Sequence, residues 1–217
     1  MKHSIYTGII LIAILAVSCD HWDDTAGVSH VTYLPEFEFT GGDFISVLAV
    51  DSGKMADPGC RVTVEGKPVN YFSNFNSIVD ITNPGVYIAS YYAENTEGFS
   101  KTAERIVAVT YEDISENDLS GTYSINVFGP AETRVTRING KGLYKIDDIL
   151  GYPGALMPGR FVDIGENKLV LLPGEGYFGN YDASEGSYTK SLLSWSVILL
   201  DPPNTGVEVP VTWHKID

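Results

Sequence analysis

Short runs of β-forming residues recur along most of this chain and constrain its fold more than any other feature. From Val31 onward, runs rich in Val, Ile, Thr, Tyr and Phe alternate with clusters of Gly, Pro, Asn and Asp. Such runs between turn-forming residues are typical of β-strands. No segment after Val31 has the apolar spacing of a convincing amphipathic helix. The sequence therefore predicts an all-β protein with antiparallel sheets.

The strand-forming runs fall into two groups, separated by the polar, acidic segment 112–118. The first group predicts strands at residues 32–39, 44–50, 61–65, 68–72, 86–93 and 99–111. The second group predicts strands at residues 121–128, 133–138, 142–147, 160–164, 168–172, 187–200 and 207–215. We therefore expect a β-sandwich at 28–111, a linker at 112–118 and a second all-β domain, sandwich or barrel-like, at 119–217. Each domain has about a hundred residues or slightly fewer, which is enough for a core of its own.

The first group of strands fits an immunoglobulin-like (Ig-like) sandwich. Alternation from Val86 to Ala93 puts one set of side chains on a core face, where we expect Tyr87 and Tyr91 to supply aromatic mass. The run Arg105–Thr110 is a strong strand signal. Six to seven short strands over about 85 residues suit this fold, although the paired cysteines of antibody domains are absent from the sequence.

Six motifs in the same region carry a resemblance to a known family. They are, in order, Val31-Thr32-Tyr33-Leu34-Pro35, Gly42-Asp43, Asp57-Pro58-Gly59, Gly66-Lys67-Pro68-Val69, Pro84-Gly85-Val86-Tyr87 and the segment from Glu97 to Arg105. In order and spacing they resemble the Ig-like domain of unknown function common in Bacteroidota surface lipoproteins, which is also similar to an Ig-like module of certain bacterial crystal toxins. The resemblance implies an Ig-like fold and a role as a spacer or as the partner of a neighbouring domain. A fold by itself does not specify function.

A second resemblance covers the segment from Lys141 to Tyr152. This segment resembles the signature Gly-Tyr/Trp-Ile-Ser-Asp-Phe-Leu-Gly-Gly-Tyr of the C-terminal domain that follows the Ig-like module in one group of those lipoproteins. Asp147 stands where the signature has a small polar residue, and Tyr152 follows one glycine rather than two. That domain is itself of unknown function, so the resemblance implies a fold and no mechanism.

The N-terminus predicts export and lipidation. A basic start at Lys2 and His3 precedes the apolar run Ile5–Val17, and small residues stand just ahead of Cys19. This is the pattern of a lipoprotein signal peptide, here covering residues 1–18. The apolar run has 13 residues, fewer than the roughly 20 that a spanning helix needs, so a membrane anchor is the weaker alternative. We expect Cys19 to become the lipidated first residue of the mature protein.

An acidic tether, residues 19–27, indicates to which membrane surface the lipoprotein is exported. Asp20, Asp23 and Asp24 follow Cys19 closely, an arrangement that resembles the export signal of Bacteroidota surface lipoproteins. In enterobacteria, an aspartate just after the cysteine would instead indicate retention in the inner membrane. On the family resemblance, we expect a protein that is lipid-anchored in the outer membrane and faces the cell exterior.

The net charge of the chain argues against several classes of partner. The chain carries 14 basic and 28 acidic residues, a net charge of −14. Removal of residues 1–18 takes away the single charge of Lys2 and leaves −15. This charge repels phosphate backbones and anionic ligands, which argues against nucleic acid and favours neutral substrates or cations. With Cys19 lipidated, Cys60 has no disulfide partner, and we expect it to be a small buried hydrophobe.

Glycine-rich loops in the C-terminal domain supply the candidate ligand site. Two stretches, 151–154 and 173–182, combine glycines with aromatic rings, and the second also carries amide and carboxylate side chains. A ring face can stack on a pyranose while Asn or Asp oxygens bind its hydroxyls, and a neutral glycan is not repelled by the negative charge. The candidate ligand-binding residues are Tyr152, Tyr177, Phe178, Tyr181 and Asp182. Packing within the fold or a solvent-facing loop is the alternative for these rings, and Trp195 and Trp213 are expected in the core.

The sequence offers no credible catalytic constellation. Asp147 and Asp148 are adjacent, so in a strand they point to opposite faces. A glycosidase needs two carboxyls roughly 5 to 9 Å apart across a cleft, and the loop acids Glu175, Asp182 and Glu185 would supply them only by accident of loop folding. The histidines of the mature chain lack metal-ligand spacing, and no nucleophile elbow or phosphate-binding glycine loop occurs. We expect no enzyme activity, no metal and no cofactor.

The sequence favours a lipid-anchored surface protein that acts as an accessory glycan-binding component of a polysaccharide-uptake system. Such a protein would hold glycan near an outer-membrane transporter, with the Ig-like unit keeping the C-terminal domain away from the bilayer. The alternative is a non-catalytic structural or assembly module of the cell surface that binds protein partners and no sugar. An enzyme is the third and weakest interpretation.

Overall fold

A computed structural model describes residues 31–216, and almost all of the regular structure is β. These residues form seventeen strands and one helix of four residues, α1 (Phe75–Ile78), which confirms the all-β class. The chain from Leu34 onward forms one compact unit. The predicted signal peptide, Cys19 and the acidic tether lie outside the described residues. Within 31–216, no helix is long and apolar enough to cross a membrane.

The first seven strands form two sheets. They are β1 (Glu36–Phe39), β2 (Phe44–Leu48), β3 (Cys60–Val64), β4 (Lys67–Pro68), β5 (Tyr71–Ser73), β6 (Gly85–Glu94) and β7 (Ser100–Thr110). The smaller sheet has the order β1-β3-β4 and the larger has the order β2-β7-β6-β5. β2 and β7 pair in parallel, with Phe44 opposite Ile106, whereas the other pairings are antiparallel. The sequence predicted only antiparallel neighbours, because local patterns do not reveal a pairing between strands so far apart in the chain.

The two sheets enclose one apolar core. Phe39 of β1 packs with Tyr91 of β6 and Val107 of β7, and the Phe39 and Tyr91 rings meet edge to face with centroids 4.9 Å apart. Two facing sheets with a shared core make a β-sandwich. Cys60 is half-buried against this core, and burial raises the pKa of its thiol. Membership of this sandwich in an Ig-like family stays a prediction.

A buried arginine ties the sandwich to its loops. Arg105 of β7 is fully buried, and its Nη1 lies 3.3 Å from Asp57 Oδ1 and 3.2 Å from the Tyr91 hydroxyl oxygen. Nε and Nη2 donate to three backbone carbonyl oxygens, those of Thr40, Gly42 and Gly59. A buried charge is tolerated only with such partners. The Arg105 guanidinium therefore finds its hydrogen-bond partners within the sandwich, and these bonds hold the loop after β1 and the loop before β3.

The second half of the chain forms a closed barrel of eight strands with an inserted hairpin. Its strands are β8 (Gly121–Ile125), β9 (Ala131–Arg137), β10 (Leu143–Ile146), β11 (Gly159–Gly165), β12 (Lys168–Leu171), β13 (Gly174–Gly176), β14 (Gly179–Asp182), β15 (Ser184–Tyr188), β16 (Leu192–Leu199) and β17 (Glu208–Lys215). β8 to β12 and β15 to β17 pair in succession, and the pairing of β17 with β8 closes the barrel. β13 and β14 form the hairpin, which joins the sheet through β16. Of the two architectures left open by the sequence, the structure adopts the barrel.

Side chains fill the interior of the barrel. Tyr144 of β10 stacks on Phe161 of β11 with ring centroids 5.1 Å apart. Trp195 and Trp213 lie in the same core, as the sequence predicted. An eight-stranded barrel is just wide enough for side chains to fill it or for one small ligand. Because side chains fill the barrel interior, a ligand could contact the barrel only at its outer wall or at its two ends.

β7 is buried on both faces because it lies between the sandwich core and the barrel wall. Val107 points into the sandwich, whereas Ile106 and the neighbouring Phe44 pack with Val162 and Ile164 of β11 on the outer wall of the barrel. Burial on both faces explains the continuous apolar run at the end of this strand. The strands on either side of the predicted linker belong to different sheets, and independent folding of the two halves stays a prediction.

The linker 112–118 is docked on one end of the barrel, which we call the linker end. Ile114 is buried, and Asn117 Nδ2 donates to Asp163 Oδ2 at 2.9 Å and to the Tyr188 hydroxyl oxygen at 3.0 Å. Gly142 has φ +86°, and a Cβ there would collide with the Ile114 side chain. The sequence predicted a polar, acidic linker at 112–118, and in the structure one apolar and one amide side chain anchor this segment to the barrel.

Candidate functional site

A plugged barrel end, opposite the linker end, carries the candidate site; we call it the loop end. Residues 147–158 fold into the barrel mouth as a plug. The indole N–H groups of Trp195 and Trp213 both donate to the Ile149 carbonyl oxygen, at 3.0 and 3.4 Å. Gly151 has φ +74°, and a Cβ there would collide with the barrel core. Core side chains therefore fix the plug, and its outer surface is presented on a rigid support.

Four aromatic rings form a continuous surface at the loop end. This aromatic patch comprises Phe128, Tyr152, Phe178 and Tyr177. Ring centroids are separated by 5.3 Å from Phe128 to Tyr152, by 5.3 Å from Tyr152 to Phe178 and by 5.1 Å from Phe178 to Tyr177. Phe128, Tyr152 and Tyr177 are 40%, 44% and 69% exposed, and Phe178 is half-buried against the barrel core. The fold thus brings together three of the five predicted ligand-binding residues.

The other two predicted residues, Tyr181 and Asp182, are placed differently. Tyr181 is 2% exposed, its hydroxyl donates to the Pro158 carbonyl oxygen at 2.8 Å, and burial raises the pKa of its phenol. Asp182 is exposed, and its Oδ1 accepts a hydrogen bond from the Ala183 N–H. Successive side chains of a strand point to opposite faces, so in β14 Tyr181 faces the core and Asp182 faces solvent. The Tyr181 ring is therefore not available for stacking on a ligand.

Phe128 completes the aromatic patch and was not singled out from the sequence. The sequence predicted a strand at 121–128, in which Phe128 would be one side chain of a sheet. The strand ends at Ile125 instead, and Gly129, with φ +124°, lies next to Pro153 of the plug. The Gly-Pro pair directly after Phe128 is the signal that marks this segment as a loop.

Aliphatic and polar side chains border the aromatic patch. Leu156 of the plug is 70% exposed, and its carbonyl oxygen accepts a hydrogen bond from the Tyr177 N–H at 3.3 Å. Along the hairpin, Asn180 donates from its backbone N–H and from Nδ2 to Asp201 Oδ2, at 2.7 and 3.0 Å. Glu175 lies opposite Asn180 in the hairpin. The border therefore offers both apolar surface and hydrogen-bonding groups.

This arrangement suits the binding of an uncharged ligand that has apolar faces. The four side chains of the aromatic patch are neutral, and contiguous exposed apolar surface is a common feature of interaction sites. Aromatic rings provide large contact area, and the tyrosines add a hydroxyl for hydrogen bonding. Among residues 31–216, no group of three or more His, Cys, Asp or Glu side chains is arranged to hold a metal ion.

One carboxyl with a raised pKa lies at the linker end, away from the aromatic patch. Asp163 is fully buried, and desolvation raises the pKa of its carboxyl. Its Oδ1 accepts a hydrogen bond from the Gly165 N–H at 2.8 Å, and Asn117 Nδ2 donates to Oδ2 at 2.9 Å. Because these partners anchor the linker, the perturbed carboxyl belongs to the scaffold.

No protein-family model matches this chain, and no curated protein matches it either. Among solved structures, the chain is similar to the crystal structure of a lipoprotein from Bacteroides thetaiotaomicron. The two are 20% identical, the match covers 83% of this chain and 100% of that chain, and the TM-score is 0.34. A likeness at this level carries no argument about function, so the family suggested by the sequence motifs stays a prediction.

Proposed function

We propose that this protein is a lipid-anchored surface protein that binds neutral glycan as an accessory component of a polysaccharide-uptake system. The aromatic patch at the loop end is the observation that carries the proposal. In this role the barrel holds glycan on its exposed rings, close to an outer-membrane transporter that takes the glycan up. The lipid anchor is the one proposed at Cys19 from the signal-peptide pattern.

The exposure of the rings supports a role in binding rather than in packing. A ring that packs the end of a barrel is buried, as Tyr181 is, whereas Tyr177 at the hairpin tip is largely exposed. Covering exposed apolar surface is favourable by about 25 cal/mol per Å². The edge-to-face contacts of Phe178 with Tyr152 and Tyr177 restrain the rings before a ligand arrives, and such preorganisation lowers the entropic cost of binding.

The charge distribution supports a neutral ligand. The mature chain carries a net charge of −15 once Lys2 is removed from the total of −14, which disfavours anionic polysaccharides. The aromatic patch itself is uncharged, and the side chains of Asn180 and Asp201, which lie next to Gly179 after Phe178, can exchange hydrogen bonds with sugar hydroxyls. A neutral sugar ring on the patch therefore meets apolar faces and polar edges that match its own.

The position of the aromatic patch supports the capture of a large external ligand. The patch lies at the loop end, whereas the linker docks at the linker end, so the length of the barrel strands separates the two. The linker therefore leaves the patch uncovered, and a polymer can approach it from solvent.

Glycan affinity tests the proposal. We expect the intact protein to bind at least one member of a panel of soluble α- and β-glucans, mannans, xylans and galactans. Tyr152→Ala and Tyr177→Ala should each weaken that binding by about 1 to 3 kcal/mol, by analogy with other ring-stacking contacts. Phe99→Ala, an exposed ring of the sandwich, is the matched control and should bind like the intact protein. Failure of the intact protein to bind any panel member would contradict the proposal.

A protein partner is the second candidate, and the exposed aliphatic side chains favour it. Leu156 and Val127 are both exposed next to members of the aromatic patch, and contiguous apolar surface also marks protein interfaces. Leu156→Asp separates the candidates, because leucine offers no ring for sugar stacking. This variant should keep its glycan affinity under our proposal. A stoichiometric partner that co-purifies from solubilised membranes with the intact protein, and is lost with Leu156→Asp, would favour the second candidate.

A further inference from the structure

A groove runs down the barrel wall beside the aromatic patch, and we infer that it continues the glycan-binding surface. β17 pairs with β8 only near the linker end, where His214 lies opposite Ser124 and Lys215 lies opposite Tyr123. Toward the loop end, β17 and β8 are not paired with each other, and they border a groove of about 710 Å³. We call it the seam groove. Its volume is in the range of known ligand sites, about 300 to 1,000 Å³.

The seam groove meets the aromatic patch at the loop end. Val127 lines the groove, and the next residue, Phe128, is the first ring of the patch. Ser124 and Val127 both line the groove, Ser124 within β8 and Val127 two residues beyond its end. A ligand that stacks on Phe128 can therefore continue along the groove toward Ser124 and His214.

Three polar side chains of the seam groove are free to bind a ligand. Asn126, Glu132 and His214 line the groove and are exposed. Within residues 31–216, the structure gives none of these three side chains a hydrogen bond or ion pair. Ser124 adds a hydroxyl group to the lining, whereas the Thr212 hydroxyl there shares a hydrogen bond with the Ser194 hydroxyl at 3.0 Å. Amide, carboxylate, imidazole and hydroxyl groups together can donate to and accept from sugar hydroxyls.

The edge of β17 argues against a peptide strand as the occupant of the seam groove. The Lys215 N–H donates to Ser191 on the β16 side, and the Ile216 N–H donates to Thr122 on the β8 side. Along a strand the backbone groups alternate in direction, so the even-numbered positions of β17 direct their backbone nitrogen toward the seam. Pro210 occupies one of these positions and has no N–H to give. A proline at this edge removes a donor that an added strand would need.

The ligand that fits these features is an internal segment of an extended neutral polysaccharide. Some of its sugars stack on the aromatic patch, and the sugars that follow lie in the seam groove. A groove that opens onto an exposed patch accepts the middle of a chain, whereas a closed pocket would accept a chain end. This inference rests on the proposed glycan-binding function and adds to it the length and mode of binding of the ligand.

The dependence of affinity on glycan length tests the inference. The probes are linear oligosaccharides, from disaccharide to octasaccharide, cut from the neutral polysaccharide that the full chain binds most tightly. We expect the association constant, measured by titration calorimetry, to rise at least about fivefold from trisaccharide to hexasaccharide. The double variant Asn126→Ala/His214→Ala should lose this gain and keep the affinity for the trisaccharide. Thr136→Ala, an exposed position of β9 outside the groove, is the matched control and should keep the gain.

The outcomes separate the two proposals. A double variant that binds the hexasaccharide like the intact protein, while Tyr152→Ala weakens binding at every length, would overturn the seam groove and leave the glycan proposal standing. Unchanged binding by Tyr152→Ala at every length, or no binding by the intact protein, would overturn both. A peptide-display screen that returns a strand-like consensus, bound by the intact protein and lost by the double variant, would assign the groove to a protein segment instead. Thermal melting of each variant checks that the fold is retained.

Discussion

Truncation of Tyr181 separates the scaffold of the loop end from its ligand surface. The Tyr181 ring lies in the barrel core, and truncation of a large aromatic core side chain to alanine costs about 3 to 5 kcal/mol. The hydrogen bond from its hydroxyl to Pro158 contributes a further 0.5 to 1.5 kcal/mol, roughly. We therefore expect Tyr181→Ala to lower the free energy of unfolding by about 3.5 to 6.5 kcal/mol, a large part of the stability of a typical domain.

Two milder variants complete the series. Tyr181→Phe keeps the ring and removes only the hydroxyl, so it should cost about 1 kcal/mol. Tyr177→Ala changes a ring that is mostly in solvent, so its cost should be within about 0.5 kcal/mol. The expected order of destabilisation is Tyr181→Ala, then Tyr181→Phe, then Tyr177→Ala.

Urea unfolding followed by tryptophan fluorescence measures this series. Trp195 and Trp213 both donate to Ile149 of the plug, so their emission reports on the loop end directly. A loss of less than about 1 kcal/mol for Tyr181→Ala, or of more than about 2 kcal/mol for Tyr177→Ala, would fall outside the ranges for buried and exposed side chains. Either result would refute the division between scaffold and ligand surface.

Three further predictions concern the linker end, the anchor and the domain boundary. Because burial raises the pKa of Asp163, its contribution to stability is full below the ordinary carboxyl pKa of about 3.9 and is lost as the pH rises through the raised value. In urea unfolding, the free energy of unfolding of Asp163→Asn should therefore rise relative to that of the intact protein between pH 4 and neutral pH. A difference between the two proteins that does not change with pH would exclude titration of Asp163. Cys19→Ala should abolish incorporation of a labelled fatty acid and Cys60→Ala should not, so label retained by Cys19→Ala would disprove the lipidation site. Residues 25–113 contain the whole sandwich core and should unfold cooperatively on their own, at a lower temperature than the full chain; a non-cooperative melt would show that the halves depend on each other.

Local sequence patterns located most of the strands. The alternation from Val86 to Ala93 predicted β6, and the apolar run that ends at Thr110 predicted β7. The turn between β15 and β16 was missed, because the residues 189–191 include no Gly, Pro, Asn or Asp. The sequence therefore suggested one strand at 187–200, whereas the chain turns where the Thr189 N–H donates to the Leu192 carbonyl oxygen at 2.9 Å.

Contacts between distant segments account for what the sequence could not predict. Two strand pairings could not be predicted from local patterns, because each joins strands that are far apart in the chain. One is the parallel pairing of β2 with β7, and the other is the pairing of β17 with β8 that closes the barrel. The rings of the aromatic patch lie in three separate loops. Composition suggested Tyr152, Tyr177 and Phe178, but it could not show that Phe178 contacts both tyrosines. Recognition of β14 as a strand would have placed Tyr181 in the core by simple alternation.

Binding of neutral glycan by the aromatic patch can be observed ring by ring. The most direct measurement is a proton–carbon NMR titration of the aromatic side chains with the oligosaccharide that binds most tightly. We expect shifts in the ring signals of Phe128, Tyr152 and Tyr177, and unchanged signals for Tyr92 and Phe99, which are exposed rings of the sandwich. Shifts confined to rings outside the patch, or unmoved patch signals at saturating oligosaccharide, would contradict binding at the patch.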